Sequence, residues 1–151
     1  SYYYNPCGRL DTVPIINLNK IIEKEIFNFK PDIILTHSEN DCNNDHRIIF
    51  RSVMMATRPN LKFTVPVIMS FEVLSSSEWN FTKYFDPNYF IKLELKNVKE
   101  KWKALKFFTS ETHKKLLPRS YQGIFNLAKQ RGLQVGEEFA EAFKIIRSIK
   151  K

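Results

Sequence analysis

The sequence predicts an α/β layered fold with a mostly parallel sheet, and three observations carry that expectation. Segments with helically spaced apolar residues alternate with short apolar or alternating runs, the succession that layered α/β proteins use. The first short run, Ile33, Ile34 and Leu35, is unbroken, as in a parallel strand covered on both faces. With 43% hydrophobic residues and 13 Phe, the chain has the apolar surface for a core without disulfide staples.

The elements follow in order. Residues 15–29 form a helix, because Ile16, Leu18, Ile21, Ile22, Ile26 and Phe27 recur at helical spacing. Pro31 and Asp32 end that pattern, and residues 33–37 make a short strand. Asp45 or Asn44 caps a helix over roughly residues 46–57, whose apolar face is Ile49, Phe50, Val53, Met54 and Ala56 and which Pro59 closes. Residues 65–73 form a second strand, followed by a loop at Ser75, Ser76 and Ser77. Residues 89–95 alternate, with Ile91, Leu93 and Leu95 set against Lys92 and Glu94, as in a half-exposed strand. A helix over residues 98–109 turns Val98, Trp102, Leu105 and Phe108 inward. Ser120 caps a further helix that runs to Arg131 and stops at Gly132, and a terminal strand covers residues 142–147. Repeats, low-complexity segments and Gly/Ser linkers are absent, so residues 1–151 are expected to form one domain.

Composition narrows the function classes. No apolar run approaches a membrane span and no signal peptide opens the sequence. Two cysteines, Cys7 and Cys42, are too few for a disulfide framework and fit reduced thiols in a cytoplasmic protein. The net charge of +8 raises the question of nucleic acid. Much of it sits on helix-face lysines (Lys99, Lys101, Lys103, Lys106) and in the tail (Lys144, Arg147, Lys150, Lys151), the pattern of solvated faces. A nucleic-acid partner is therefore not expected, whereas an anionic small substrate suits the charge.

The stretch PDIILTHSENDCNNDHR, residues 31–47, carries the chemistry. Open α/β sheets bind ligands beyond the carboxyl ends of their strands. His37 ends one strand and His46 opens the next helix, so both stand where such a fold puts its site. Asp41, Asn43 and Asp45 imitate the start of a calcium loop, but His46 replaces the sharp-turn glycine and Ser52 the closing glutamate, which excludes an EF-hand. Imidazole and carboxylate together suit a transition metal such as zinc. Asp45 and His46 lie close to or inside its coordination shell, with either His37 or Asp41 approaching from the strand end.

Beyond composition, THSENDCNNDHR resembles the second motif of the LmbE/PIG-L family of zinc-dependent N-acetylglucosamine-type deacetylases. GRLDTVPI before it, then ATRPN, FEVLSSSEW, FDPNYF, KWKAL and VGEEFAEAFKIIR extend the resemblance along nearly the whole chain, and are similar to the bacterial branch linked to surface-polysaccharide sugars. The resemblance implies a Rossmann-like fold and a metal-dependent hydrolase that removes an N-acetyl group from an amino sugar, free or nucleotide- or glycan-linked. It implies zinc or another divalent cation with His46 as a ligand, and Asp45 as the aspartate supporting the catalytic histidine and the metal shell. Asn43 stands where many relatives have a histidine that stabilises the oxyanion. His37 either supplies that imidazole from the strand end or is structural. Arg47 is expected to pair with a carboxylate or a substrate phosphate, and Arg9, Asp11 and Glu72 to contact the sugar. The family's first motif, Ala-His-Pro-Asp-Asp-Glu, has no counterpart here. The chain is therefore expected to be the carboxyl-terminal two-thirds of such a domain, without its amino-terminal strand or strands and holding half an active site. The competing expectation is a basic α/β binding module, or a degenerate relative without the full metal site.

Overall fold

The computed structural model describes every residue of the chain except 1, 2, 4, 6, 60–62, 115 and 151. Lys151 of the basic tail and Asn60 of ATRPN thus lie outside the described residues. The elements are α1 (Ile15–Phe29), β1 (Ile33–His37), α2 (Asn44–Ala56), β2 (Val67–Phe71), β3 (Tyr89–Leu93), α3 (Leu95–Leu105), α4 (Tyr121–Leu133) and β4 (Phe139–Ser148). Short 3₁₀ turns occupy Leu10–Thr12, Ser77–Trp79 and Thr109–Glu111. The strands form a mixed sheet in the order β1-β2-β4-β3, which is the α/β architecture expected. The chain divides into two compact units, one of residues 1–85 and 144–151 and one of residues 86–143.

In the first unit β1 and β2 are parallel and in register from Ile33 opposite Val67 to His37 opposite Phe71. Their carboxyl ends therefore lie side by side. Ile26, Val53, Ala56, Val65 and Ile68 form the buried core, with Ile22, Ile34, Ile49, Met54, Phe63 and Ile146 packed against it. A buried polar clasp joins the helices: the Ser52 hydroxyl donates to Asn19 Oδ1 at 2.7 Å. Both residues are buried, so the hydrogen bond offsets the cost of taking them out of water. This inward turn of Asn19 corrects the expected face of α1. Leu18 and Ile26 are buried, whereas Ile16 and Phe27 are exposed.

β1 departs from expectation as well. It lies at one edge of the sheet, and Ile33 and Leu35 are about half exposed, so among the described residues only its Ile34 and Thr36 face is covered. The cap of α2 moves upstream of the expected Asn44 or Asp45: it is Asn43, whose side chain accepts from the Asp45 N–H at 2.9 Å. β2 is shorter than the expected 65–73, because Ser77 turns back to take the Val73 N–H at 2.7 Å.

In the second unit β3 and β4 are antiparallel, Tyr89 opposite Phe143 and Leu93 opposite Phe139. Val98, Ile124, Ala128, Phe139, Ala140 and Ala142 are buried, and the rings of Trp102, Tyr121, Phe125 and Phe139 pack in sequence 5.2–6.3 Å apart. Glu94 and Asn97 form a reciprocal capping box, which starts α3 at Leu95 and shortens β3. α3 ends at Leu105 rather than 109, leaving Phe108 exposed instead of inward. Ser120 caps α4 as expected, accepting from the Gly123 N–H at 3.0 Å. Gly132 does not stop α4; it lies inside the helix, where a Cβ would stand 2.6 Å from the Glu137 carbonyl oxygen. The terminal strand is longer than expected, Phe139–Ser148.

Candidate active site

The carboxyl ends of β1 and β2 and the start of α2 bring His37, Asp41 and His46 together within the first unit. Parallel pairing puts His37 opposite Phe71, and the rings stand 5.2 Å apart. The capping turn then swings α2 back so that His46, in its first turn, stacks on His37 with ring centroids 4.1 Å apart and planes 18° from parallel. Of the three residues expected to converge, His37 and His46 are thus in contact, whereas the Asp45 carboxylate is engaged by the Leu10 N–H.

Asp41 lies beneath them and is wholly buried. It accepts hydrogen bonds from the Ser76 hydroxyl, the Ser77 hydroxyl at 3.0 Å and the Asn43 N–H at 2.9 Å. Its Oδ1 stands 3.2 Å from His46 Nδ1, within ion-pair reach, although the imidazole N–H is not aligned as in a formed hydrogen bond. Burial pushes the Asp41 carboxyl up, but the His46 imidazole, the Ser76 hydroxyl and the Asn43 N–H outweigh it and hold the group at about 2, below its ordinary 3.8. Asp41 is thus a carboxylate at any ordinary pH.

His37 is governed by the opposite balance. Burial, then the neighbouring His46, lowers it from 6.5 to about 4, and Asp41 only partly offsets them. It is neutral near pH 7, and its buried Nδ1 has no hydrogen-bond partner.

The remaining expected residues sit around this centre. The carboxylate of Asp45 turns to the preceding loop, where Oδ1 accepts from the Leu10 N–H at 3.0 Å. It thereby ties the 3₁₀ turn Leu10–Thr12 to the start of α2, and that turn carries Asp11 and is capped by Arg9, both exposed. Arg47 donates to the Asp41 carbonyl oxygen at 3.4 Å and to Asn44 Oδ1 at 3.3 Å, bracing the loop from outside. Glu72 directly follows β2, half-buried at the same end of the sheet.

Sequence reasoning weighs Asp41 only as a metal approach and misses the Ser76 and Ser77 hydroxyls. The run of three serines is the available signal, but only the fold shows that two of them face a buried carboxylate.

The donor set can be tested against a metal. With Nδ1 toward Asp41, the lone pair of His46 Nε2 is the one suited to a ligand. Among the described residues, however, no group of three or more His, Cys, Asp and Glu side chains is placed to hold an ion. These residues do not by themselves fit a zinc site, which needs about three protein ligands.

No family model matches the chain, and no curated protein matches it. Solved structures do. The conserved protein TT1542 from Thermus thermophilus superposes with a TM-score of 0.74 at 16% identity, over 97% of this chain and 65% of that one. The N,N'-diacetylchitobiose deacetylase of Pyrococcus horikoshii gives 0.63 at 17% identity, over 89% and 53%. The zinc-inhibited form of teicoplanin deacetylase Orf2 gives 0.64 at 17%, over 99% and 57%. The likeness is one of fold. It extends to a 4-carboxy-2-hydroxymuconate hydratase, GalB, with a TM-score of 0.62 at 18% identity, over 90% and 60%, so the fold alone does not fix the reaction. The chain spans between about half and two thirds of the proteins it matches. No helix among the described residues is long and apolar enough to cross a membrane.

Proposed function

We propose that the protein is a metal-dependent hydrolase of the LmbE/PIG-L type that removes an N-acetyl group from an amino sugar, free or carried on a nucleotide or glycan. The observation that supports this most directly is the stacked His37–His46 pair over buried Asp41, at the carboxyl ends of two parallel strands. Two deacetylases share this fold, and the THSENDCNNDHR motif supplies both histidines.

The metal would be zinc or another divalent cation, and His46 would be a residue that holds it. Asp45 acts through position: by holding the Leu10 N–H it fixes the start of α2 and with it His46. His37, neutral near pH 7, takes the place of the imidazole that Asn43 displaces and faces the developing oxyanion as a hydrogen-bond donor. Arg47, Arg9, Asp11 and Glu72 line the approach for the sugar and any phosphate on it. A cytoplasmic setting fits such a substrate.

The test is acetate release from N-acetylated amino sugars, measured beside zinc content. His46→Ala should lose metal and activity together. His37→Ala should lower turnover by roughly 100-fold at unchanged metal content, as for a lost oxyanion donor. Full activity in His46→Ala would remove the metal mechanism.

A further inference from the structure

We infer that Asp41 is the positioning residue of the site: it fixes the ring of His46 with the proton on Nδ1 and the lone pair on Nε2, and the turn at residues 75–78 exists to hold Asp41 in place. The role of His46 rests on the function proposed above; the ring orientation itself does not.

The geometry runs through four layers. Glu78 accepts from the Ser75 N–H at 2.7 Å and the Ser76 N–H at 3.0 Å. These bonds secure a turn in which Ser75 has φ 65°, a left-handed conformation that a non-glycine residue rarely takes. The turn places the Ser76 and Ser77 hydroxyls, both buried, against the two oxygens of Asp41. With the Asn43 N–H added, Asp41 receives three donors from two loops. Its Oδ1 also stands 3.2 Å from His46 Nδ1, a buried nitrogen that has no aligned hydrogen-bond acceptor among the described residues. A carboxylate charge this close to Nδ1 favours the tautomer with the proton on that nitrogen and leaves the lone pair on the opposite one.

This is more than packing is obliged to provide. A buried carboxylate is costly unless its lone pairs are met, and a threonine or asparagine in this loop would cap and turn as well. Asp41 instead keeps a full negative charge 3.2 Å from the buried Nδ1 of a ring that opens the site. Neither the carboxylate nor the serines need to touch a substrate; they act through His46.

The test is long-range ¹H–¹⁵N correlation of the imidazoles in the 151-residue chain, above pH 7, for the wild type, Asp41→Asn and Ser77→Ala. Wild-type His46 should carry its proton on Nδ1. Asp41→Asn keeps the shape and removes the charge, so His46 should shift toward the Nε2–H form or a mixture, with Ser77→Ala in between. Near-UV circular dichroism confirms that each variant is folded. Should Asp41→Asn fail to fold, Ser77→Ala carries the comparison. In the deacetylation assay Asp41→Asn should lower kcat roughly 10–100-fold with KM little changed, the usual effect of losing a neighbour that orients a ligating histidine. Wild-type His46 protonated on Nε2, or a tautomer unmoved in both variants, overturns the inference whatever the activity. Absence of deacetylation in the wild-type protein would instead overturn the proposed reaction and leave the tautomer result standing.

Discussion

Replacing His37 by Phe should make the first unit less sensitive to acid, by an amount the structure allows to be worked out. His37 is lowered from 6.5 to about 4, first by burial and then by the neighbouring His46. Between these two values the unfolded chain takes up a proton that the folded chain refuses. Stability conferred by a neutral His37 is therefore complete above about pH 6.5 and declines as the pH falls toward 4. At about 1.4 kcal/mol per pH unit the full difference is roughly 3 kcal/mol. Water reaches part of the ring, and screening reduces this to ~2 kcal/mol. Asp41 does not interfere in that window. Its depressed value, about 2 against 3.8, gives stability that is present above pH 3.8 and lost only as pH falls toward 2. The assay is urea unfolding of wild type and His37→Phe at pH 7.5 and 4.5, followed by tryptophan fluorescence. Phe keeps an aromatic plane against His46 and Phe71 and removes a buried nitrogen that has no partner. The variant should match or exceed the wild type at pH 7.5, and should lose ~2 kcal/mol less on moving to pH 4.5. Equal losses in both proteins would refute the placement of His37 as a half-buried neutral imidazole.

Two further outcomes test the frame that holds the site. Asn43→Ala removes the side chain that accepts the Asp45 N–H at the start of α2 and should cost about 1 kcal/mol, read as a lower urea midpoint at constant slope. Gly132→Ala drives a methyl to within 2.6 Å of the Glu137 carbonyl oxygen and 2.8 Å of the Glu138 carbonyl carbon, against backbone that cannot swing aside. It should cost about 1–3 kcal/mol, and a melting temperature equal to the wild type would show that α4 leaves room for a methyl beside the turn that leads into β4.

The sequence made some of this legible because the relevant information is local. Apolar spacing located α1 to its last residue, and an unbroken apolar run followed by polar residues located the end of β1. His37 and His46 could be brought together from sequence because a strand end and the next helix start adjoin in this architecture. Orientation was less accessible. The apolar stripe of α1 is wide enough to turn either way, and the choice fell to Asn19, which finds Ser52 on α2 and so leaves Ile16 and Phe27 outside. Asp41 was harder still. Its burial depends on hydroxyls from Ser76 and Ser77, residues that local spacing cannot connect to it.

Asp41 and Asp45 show why residue type alone could not assign the roles. Both are aspartates of one short stretch, four positions apart, and by residue type either could serve as the metal-shell carboxylate. What separates them is the supply of donors. Asp45 sits in the first turn of α2, where the helix end favours negative charge, and its oxygen is engaged by a loop N–H at 3.0 Å, which makes it a tie between segments. Asp41 lies before the helix, out of contact with water, and its donors are two serine hydroxyls and a backbone N–H, with the imidazole edge of His46 3.2 Å away. Arg47 sharpens the distinction: its guanidinium reaches the backbone oxygen of Asp41, at 3.4 Å, and not its carboxylate. Among the described residues the charge of Asp41 is thus left uncompensated by any arginine or lysine of this loop, and the imidazole of His46 is the group placed to feel it. A carboxylate neutralised by an arginine would stabilise the loop equally well and orient nothing.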